Sequence, residues 1–368
     1  MHPIRVCSAL LFLGFCALLS AEDLAVTPAV EEGIAWYDAA AWPIEGKGWA
    51  ETTRPFDRIP DDFAAKIPAG VRELGKNTAG LLTRFRTDAD SIRVKYALLS
   101  GNLAMPHMPA TGVSGLDLYA LEDGKWCWVA CTMPTVQANA VELAGGLGRR
   151  MRDYLIYLPL YNGVESLSIG VAEDAEFHAV APNPAKPIVY YGTSIAQGGC
   201  CSHPGNVYTS MLSRRLGVPF VNLGFSGSAR MEPEMAEMIA TLDPALFVID
   251  AVPNMDAPLI RQRALPFLET LRAARPETPI LIVDGRHYAD THIKQGRAAD
   301  CQELSKAMRE AYETFSAKND GVYWLGHENL IGEDVDFDAT MDSSHLNDLG
   351  MFRQANKLEP VIRDILSL

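Results

Sequence analysis

The sequence predicts a two-domain protein of the α/β class, in which an all-β sandwich precedes a parallel sheet with helices on both faces. Three observations lead to this prediction. The chain has 368 residues, enough for two domains. Its first half contains short segments in which apolar and polar residues alternate, as in half-buried strands. In its second half, apolar runs of strand length alternate with amphipathic stretches of helical length, an order typical of a parallel sheet.

The N-terminal 21 residues have the layout of a secretory signal peptide. Basic residues precede an apolar run at positions 6–19, and small residues end at Ala21, just before two acidic residues. The run is short for a membrane-spanning helix. We therefore expect cleavage after Ala21 and a secreted or periplasmic mature protein. A lipid anchor on Cys16 is the less favoured alternative, because the bulky Phe15 fits a lipoprotein cleavage site poorly.

The first domain is predicted over residues 22–180. Alternation is strictest at 91–98, and similar segments separated by turn residues follow at 115–120, 126–131, 154–158 and 167–171. With almost no helical period between them, these strands indicate an all-β sandwich. The proline-rich stretch 181–187 cannot continue a hydrogen-bonded ladder, so it is predicted to be the linker.

The second domain is predicted over residues 188–368. Strand candidates lie at 188–191, 219–223, 246–249, 280–283 and 322–325. Helix candidates between them include 208–216, which Gly217 terminates, and 300–315, whose apolar residues share one face. In such sheets the ligand site lies beyond the carboxyl ends of the strands. Functional residues are therefore expected just after each strand.

Three of these strand ends carry groups suited to acyl transfer. Ser194 follows the first strand, where the N-terminus of a helix can polarise its hydroxyl. Gly227 follows the second strand in a glycine-rich turn that can direct backbone N–H groups at a carbonyl oxygen. Asn254 follows the third and can add a side-chain N–H. Each has an ordinary alternative on its own: a helix N-cap, a plain turn and an Asn that caps its own backbone.

Near the C-terminus, Asp342 and His345 precede the last predicted helix. Residues three apart on one turn face the same way, so the carboxylate can hold one imidazole nitrogen and leave the other free as a base. This Asp-x-x-His spacing is common by chance. Its weight comes from its place after the other three segments.

Taken together, these segments resemble the successive blocks of the SGNH, or GDSL-like, hydrolases in the same order. The resemblance covers residues 187–368 and implies a flavodoxin-like three-layer α/β/α domain. It makes Ser194 the nucleophile, His345 and Asp342 its partners, and the N–H groups of Ser194, Gly227 and Asn254 the oxyanion hole. Thr193 stands where this family usually has Asp before the serine. That departure is similar to a bacterial subgroup with a Gly-Thr-Ser-Ile motif.

The first half resembles the partner domain of that subgroup. Residues 115–119 match its Gly-x-Asp-Leu-Tyr signature, and 158–163 are similar to its later strand and turn. The resemblance implies a jelly-roll-like sandwich, and the layout is similar to that of two-domain carbohydrate acetyl esterases. We expect a serine esterase without metal or organic cofactor. A lipase, lysophospholipase or thioesterase of the same family and a catalytically silent carbohydrate-binding protein stay open as alternatives.

Composition limits the partners. The formal charge is −14 at pH 7, and no block of Lys and Arg interrupts the acidic balance. A nucleic-acid backbone or an anionic membrane is therefore an unfavourable partner, and a neutral ester substrate is favoured. No segment after the leader is long and apolar enough to span a bilayer. The sequence leaves the oligomeric state open.

The leader carries Cys7 and Cys16. The five cysteines that follow it are Cys127, Cys131, Cys200, Cys201 and Cys301. Their number is odd, and their spacing matches neither a disulfide framework nor a zinc site. We expect buried free thiols, with one disulfide as the alternative.

Two polar clusters are interpreted as solvated loops. His287 and His292 flank Asp290 without a third ligand at helical spacing. Asp334, Asp336 and Asp338 alternate as in a calcium loop but lack the glycine and the closing glutamate.

Two further features have a possible part in substrate binding. Trp126 and Trp128 share one side of a strand and are interpreted as half-buried sandwich core, with a sugar-stacking platform as the alternative. His203 could line the pocket, but the base is already assigned elsewhere.

Overall fold

The computed structural model describes residues 22–285, 288–327, 330 and 337–368. Its first part is built from antiparallel strands: β1 (Asp23–Leu24), β2 (Ala29–Glu31), β3 (Ile34–Asp38), β4 (Leu82–Thr87), β5 (Ile92–Leu98), β6 (Asp117–Glu122), β7 (Lys125–Cys131), β8 (Ala138–Ala144), β9 (Arg152–Tyr157), β10 (Val164–Ala172) and β11 (Phe177–Val180). They form two sheets with the orders β1-β11-β4-β9-β6-β7 and β2-β3-β10-β5-β8.

The two antiparallel sheets enclose one apolar core. Burial alternates along β5, where Ile92, Val94, Tyr96 and Leu98 are buried and the residues between them are more exposed. These side chains pack against inward-facing residues of the other sheet, including Phe85 and Ile156. The predicted sandwich is confirmed.

Short helices interrupt the first part of the chain, which the sequence analysis did not predict. They are α1 (Asp61–Ala64), α2 (Ala69–Leu74) and α3 (Ala110–Ser114). Ile59, Ile67 and Val71, from the region of α1 and α2, pack into the core of the second domain rather than into the sandwich. These helices are too short to show an amphipathic period in the sequence, so they could be recognised only in the folded structure.

The second part contains a parallel sheet: β12 (Ile188–Gly192), β13 (Phe220–Gly224), β14 (Leu246–Asp250), β15 (Ile280–Val283) and β16 (Val322–Leu325). Its order is β13-β12-β14-β15-β16, and neighbouring strands pair in parallel throughout. Numbered along this domain the order is 2-1-3-4-5, which is the flavodoxin-like arrangement.

Helices cover both faces of the parallel sheet: α4 (Ser194–Gln197), α5 (Tyr208–Leu216), α6 (Pro233–Ala240), α7 (Ala257–Ala274), α8 (Gln295–Ser316) and α9 (Asp348–Leu366). One apolar cluster joins the sheet to α6, α7 and α8, and a second joins it to α5 and α9. The predicted three-layer α/β/α domain is confirmed.

The chain changes from one architecture to the other over a short stretch. Strand β11 ends at Val180 and β12 begins at Ile188. We propose that the domain division follows this change, with residues 181–187 as the linker. The signal-peptide prediction concerns residues 1–21, which lie outside the described residues. Within the described part of the chain, no helix is both long and apolar enough to cross a membrane.

Candidate active site

The carboxyl edge of the parallel sheet brings the predicted residues into one region. Ser194 starts α4 directly after β12, Gly227 lies in the turn after β13, and Asn254 ends a 3₁₀ helix (Val252–Asn254) after β14. Asp342 and His345 lie just before α9. Neighbouring parallel strands end at the same edge, so residues far apart in sequence meet there.

Ser194, His345 and Asp342 form a continuous hydrogen-bonded chain. The Oγ of Ser194 lies 2.9 Å from Nε2 of His345, and Nδ1 of the same imidazole lies 2.8 Å from Oδ2 of Asp342. When Nδ1–H donates to the carboxylate, Nε2 is left to accept the proton of the serine hydroxyl. The arrangement is that of a nucleophile, a base and a group that orients the base.

A turn, not a helix, sets the spacing of Asp342 and His345. The Oδ1 of Asp342 accepts hydrogen bonds from the backbone N–H groups of Ser344 at 3.1 Å and His345 at 2.8 Å. Ser343 adopts a left-handed φ of 70° within this turn. The predicted proximity of the two side chains is therefore achieved by an Asx-type turn, in which the carboxylate closes the backbone.

The same hydrogen bonds control the charge of Asp342. Partial burial by itself would raise the pKa of this carboxyl. The backbone N–H and imidazole of His345 and the N–H of Ser344 outweigh that effect and lower its pKa to about 2. Asp342 is therefore ionised at neutral pH. In general, a carboxylate that stays ionised beside an imidazole can stabilise the imidazolium formed when a serine gives up its proton.

The residue before the serine holds the start of α4 in place. Thr193 is buried and caps α4, its Oγ1 accepting from the N–H of Ile195 at 3.4 Å. A threonine hydroxyl performs this capping without burying a charge. The carbonyl oxygen of Ser194 in turn accepts the Tyr161 hydroxyl at 2.9 Å and the N–H of Gly199 at 2.7 Å. The backbone of the serine is thus held from both sides.

Gly227 and Asn254 meet at one loop. Gly227 is exposed, has a φ of +65° and has no atom within 4 Å of the position that a Cβ would occupy. A residue with a side chain would be strained at that φ. The Nδ2 of Asn254 donates to the carbonyl of Phe225 at 3.3 Å, within the same loop. That bond is long, so it would give way readily to a stronger acceptor such as an oxyanion.

Two buried amide side chains connect the serine helix to this loop. Gln197 accepts the N–H of Ser226 at 2.9 Å through Oε1. Asn222 accepts the N–H of Gly224 at 2.8 Å and donates to the carbonyl of Ala196 at 2.6 Å. Fully hydrogen-bonded buried amides rigidify their surroundings. Gln197 was missed by the sequence analysis, because a glutamine in a four-residue helix carries no local signal.

Arg58 is a second residue that the sequence analysis missed. Its side chain is 2% exposed and donates to four backbone carbonyls: Asn77 at 2.7 Å, Leu74 at 2.7 Å, Asn222 at 3.0 Å and Gly224 at 3.1 Å. Its guanidinium carbon also lies 4.9 Å from the centre of the Phe225 ring. Burial lowers the pKa of Arg58 to about 9, so the group keeps its charge at neutral pH. A cation from the first part of the chain therefore anchors the loop that carries Gly227.

His107 also reaches this region from the first domain. It is exposed, and its ring centre lies 6.0 Å from that of His345. Together with Tyr161 it shows that the sandwich domain contributes side chains around the triad. No local pattern marks His107. Tyr161 lies in the segment 158–163 noted in the sequence, but its position beside the serine depends on the docking of the two domains.

The five cysteines of the described chain take no part in the hydrogen bonds that join Ser194, His345 and Asp342. Among the described residues the five cysteines are free: Cys200, Cys201 and Cys301 are buried, Cys131 is partly buried and Cys127 is exposed. Burial raises the pKa of the Cys200 and Cys201 thiols, which keeps both protonated.

The structure describes only part of the two polar loops, 287–292 and 334–338, that the sequence analysis interpreted as solvated. Asp290 pairs with Lys294 at 2.8 Å and Arg297 at 2.7 Å instead of facing a cation site. His287, Asp334 and Asp336 lie outside the described residues. No group of three or more potential metal ligands occurs within the part that the structure covers.

Two family models match separate parts of the chain. Residues 185–363 match the GDSL-like lipase/acylhydrolase family, and residues 34–177 match the N-terminal domain of SGNH-hydrolase-type esterases. A comparison with curated proteins gave no match. A crystal structure from Bacteroides ovatus ATCC 8483, described as a GDSL-like lipase, is 33% identical with a TM-score of 0.86, covering 91% of this chain and 98% of the other.

More distant structures share the fold. A salicylyl-acyltransferase from a tetracycline biosynthetic pathway is 16% identical with a TM-score of 0.70, covering 93% of this chain and 97% of the other. An acetyl xylan esterase from the rumen bacterium Butyrivibrio proteoclasticus is 12% identical with a TM-score of 0.53, covering 95% and 97%.

Fold and family together define a hydrolase that acts on esters. More particularly, the chain belongs to the GDSL-like lipase/acylhydrolase family and carries the N-terminal domain of its SGNH esterases.

Proposed function

We propose that this protein is a secreted serine esterase that removes small acyl groups, most specifically acetyl, from carbohydrate esters. The observation that carries the proposal is the hydrogen-bonded chain from the Ser194 hydroxyl through His345 to Asp342. The similarity of fold to an acetyl xylan esterase supports a carbohydrate ester as substrate. The net charge of −14 supports a neutral substrate over an anionic one. Secretion is proposed from the leader-like residues 1–21.

The first half-reaction forms an acyl-serine. Ser194 Oγ attacks the ester carbonyl carbon while its proton moves to Nε2 of His345, and the carbonyl π electrons move to the oxygen. We assign the N–H groups of Ser194, Gly227 and Asn254 to stabilise that oxyanion. When the tetrahedral intermediate collapses, the bond to the alcohol oxygen breaks and the proton on His345 passes to that oxygen. Asp342 keeps its negative charge throughout.

The second half-reaction restores the enzyme. A water molecule gives its proton to Nε2 of His345 and attacks the acyl carbon. Collapse of the second tetrahedral intermediate releases the carboxylic acid, and Ser194 Oγ regains its proton from the imidazole. These steps need only the three triad side chains, the oxyanion donors and water.

Substitution of the nucleophile tests the proposal directly. We expect Ser194→Ala to abolish acetate release from a chromogenic acetyl ester and from acetylated xylan, and to prevent labelling by a fluorophosphonate probe. Ser316→Ala, which removes a hydroxyl at the C-terminus of α8 that donates to the Glu313 carbonyl at 3.5 Å, is the matched control. Turnover by Ser194→Ala at the wild-type rate would refute the assignment of the nucleophile.

The substrate class needs its own measurement. Comparison of acetyl with long-chain esters separates a deacetylase from a lipase or thioesterase of the same family. Addition of an alcohol acceptor tests transfer instead of hydrolysis, the activity for which the acyltransferase of similar fold is named. Preference for long acyl chains, or an ester product in place of acetate, would replace the acetyl esterase assignment.

A further inference from the structure

Trp128 is an exposed tryptophan with a fixed orientation. It lies on β7, the edge strand of the six-stranded sheet, and 54% of the residue is exposed. The sequence analysis interpreted it as half-buried core, whereas its strand neighbour Trp126 is the one that packs against buried residues. Its Nε1–H donates to Oδ1 of Asp117 at 2.8 Å. Because the indole N–H is already satisfied, what the side chain offers to solvent is its aromatic surface.

A buried carboxylate holds Trp128 and a histidine of the second domain together. Asp117, the aspartate of the Gly-x-Asp-Leu-Tyr segment, is fully buried. Its Oδ2 lies 2.6 Å from Nδ1 of His203 and accepts the backbone N–H of Gly205, also at 2.6 Å. Burial of a carboxylate is costly unless donors surround it, and three donors converge here. The buried carboxylate of Asp117 therefore fixes the positions of both rings.

The two rings form the walls of a small polar and aromatic corner. The centres of the Trp128 and His203 rings lie 5.6 Å apart with an angle of 36° between their planes. The His203 side chain is 18% exposed, and Nδ1 is the nitrogen that faces Asp117. Within the described part of the chain, its Nε2 has no hydrogen-bond partner. That nitrogen can accept a hydrogen bond from a hydroxyl group, or donate a hydrogen bond when the ring is protonated.

This corner lies close to the triad along the loop that follows the serine helix. A Cβ placed on Gly199 would lie 3.4 Å from Cδ2 of His345. Ser202 donates its N–H to Asp348, at the start of α9, at 2.9 Å. His203 is four residues from Gly199, so their Cα atoms are at most about 14 Å apart. One oligosaccharide can therefore contact both the corner and the triad.

We propose that Trp128 and His203 form a carbohydrate subsite that binds a neutral pyranose ring of the substrate, outside the ring that carries the ester. The inference rests on the proposed function and extends it. The C–H groups of one sugar face carry partial positive charge and pack on the negative face of the indole. Nε2 of His203 accepts a hydrogen bond from a hydroxyl group of the sugar. Trp128 comes from the sandwich and His203 from the α/β domain, so the subsite exists only in the assembled protein.

Binding measured without turnover tests the subsite. The mature protein is titrated by calorimetry with three unacetylated neutral hexasaccharides, from xylan, cellulose and mannan. We expect Trp128→Ala to weaken binding by on the order of tenfold. Trp128→Phe keeps an aromatic face but loses the bond to Asp117, so a smaller loss is expected. Phe352→Ala is the matched control, because Phe352 is a 48% exposed aromatic residue on α9. Thermal unfolding checks that each variant is folded.

The outcomes separate the subsite from the esterase activity. A loss of affinity in Trp128→Ala but not in Phe352→Ala supports the subsite. Wild-type affinity in Trp128→Ala overturns it, and so does the absence of binding of all three oligosaccharides by the wild-type protein. Trp128-dependent binding without any acetate release would support the subsite and refute the esterase. Acetate release from simple esters without oligosaccharide binding would do the reverse.

Discussion

Arg58→Met removes the buried cation that anchors the loop carrying Gly227. Methionine keeps an apolar chain of similar length but removes one hydrogen-bond donor from each of four backbone carbonyls. At about 1 kcal/mol net for each hydrogen bond, the loss is about 4 kcal/mol. Relief of the cost of burying a charge offsets part of it, so we expect a net destabilisation of about 2 kcal/mol. The unfolding midpoint should then fall by about 4–8 °C.

The effect on catalysis follows from the position of the carbonyls. Two of them, on Asn222 and Gly224, belong to β13, the strand that leads into the Phe225–Gly227 turn. A displacement of about 1 Å in a catalytic group can cost on the order of 100-fold in rate. We therefore expect kcat for a small acetyl ester to fall by about 10- to 100-fold, with a smaller change in KM. In these terms Arg58 is a positioning residue.

A matched variant separates positioning from general stability. Arg272 also donates to backbone carbonyls, those of Pro276, Thr278 and Asp320, but near the amino ends of β15 and β16, at the opposite edge of the sheet. Arg272→Met should lower the unfolding midpoint without a comparable loss of kcat. Arg58→Lys, which keeps the charge but fewer donors, should recover part of the activity. If both methionine variants lose stability and keep kcat, the proposed positioning role of Arg58 is wrong.

Two further substitutions test the assigned roles in the site. Asn254→Ala should lower kcat by about 100-fold or more, because an oxyanion donor acts in the transition state. The control is Asn319→Ala, which removes an amide bonded to the Phe315 carbonyl. A change confined to KM would reassign Asn254 to substrate binding. Asp342→Asn should lower kcat by about 10²- to 10⁴-fold. Since the pKa of Asp342 is lowered from 3.8 to about 2, its ionised form stabilises the fold above about pH 4, and that contribution disappears as the pH falls toward 2. Its side chain is 43% exposed, so we expect about 1 kcal/mol or less, a step that thermal melts should show in the wild type and not in Asp342→Asn.

Local sequence patterns were sufficient for the architecture. Alternation at 91–98 predicted β5, and the apolar runs at 188–191 and 246–249 predicted β12 and β14. Apolar residues alternate with polar ones along a strand when one face of the sheet is covered, and they form a continuous run when both faces are covered. Either pattern can be recognised from a few consecutive residues. The same reasoning found Ser194, because a residue that follows a buried parallel strand must lie at the carboxyl edge.

Patterns were weaker where an element is short or irregular. Helices α1 and α2 have only four and six residues, too few for a period, and they serve the core of the domain that follows them. The spacing of Asp342 and His345 predicted that their side chains face the same way, and in the structure the carboxylate closes a non-helical turn that brings them together. The contact was anticipated, and its backbone geometry was not.

The sequence by itself therefore determined two architectures, the order of the site-bearing loops and the candidates Ser194, His345 and Asp342. Only the tertiary structure revealed Arg58 beneath the loop of Gly227, and the pairing of Trp128 with His203. Arg58 and Asn222 are 164 positions apart, and Asp117 and His203 are 86 apart. Periodicity and capping report interactions within a few residues of the chain. Contacts between domains depend instead on how two finished surfaces dock, which no local pattern encodes.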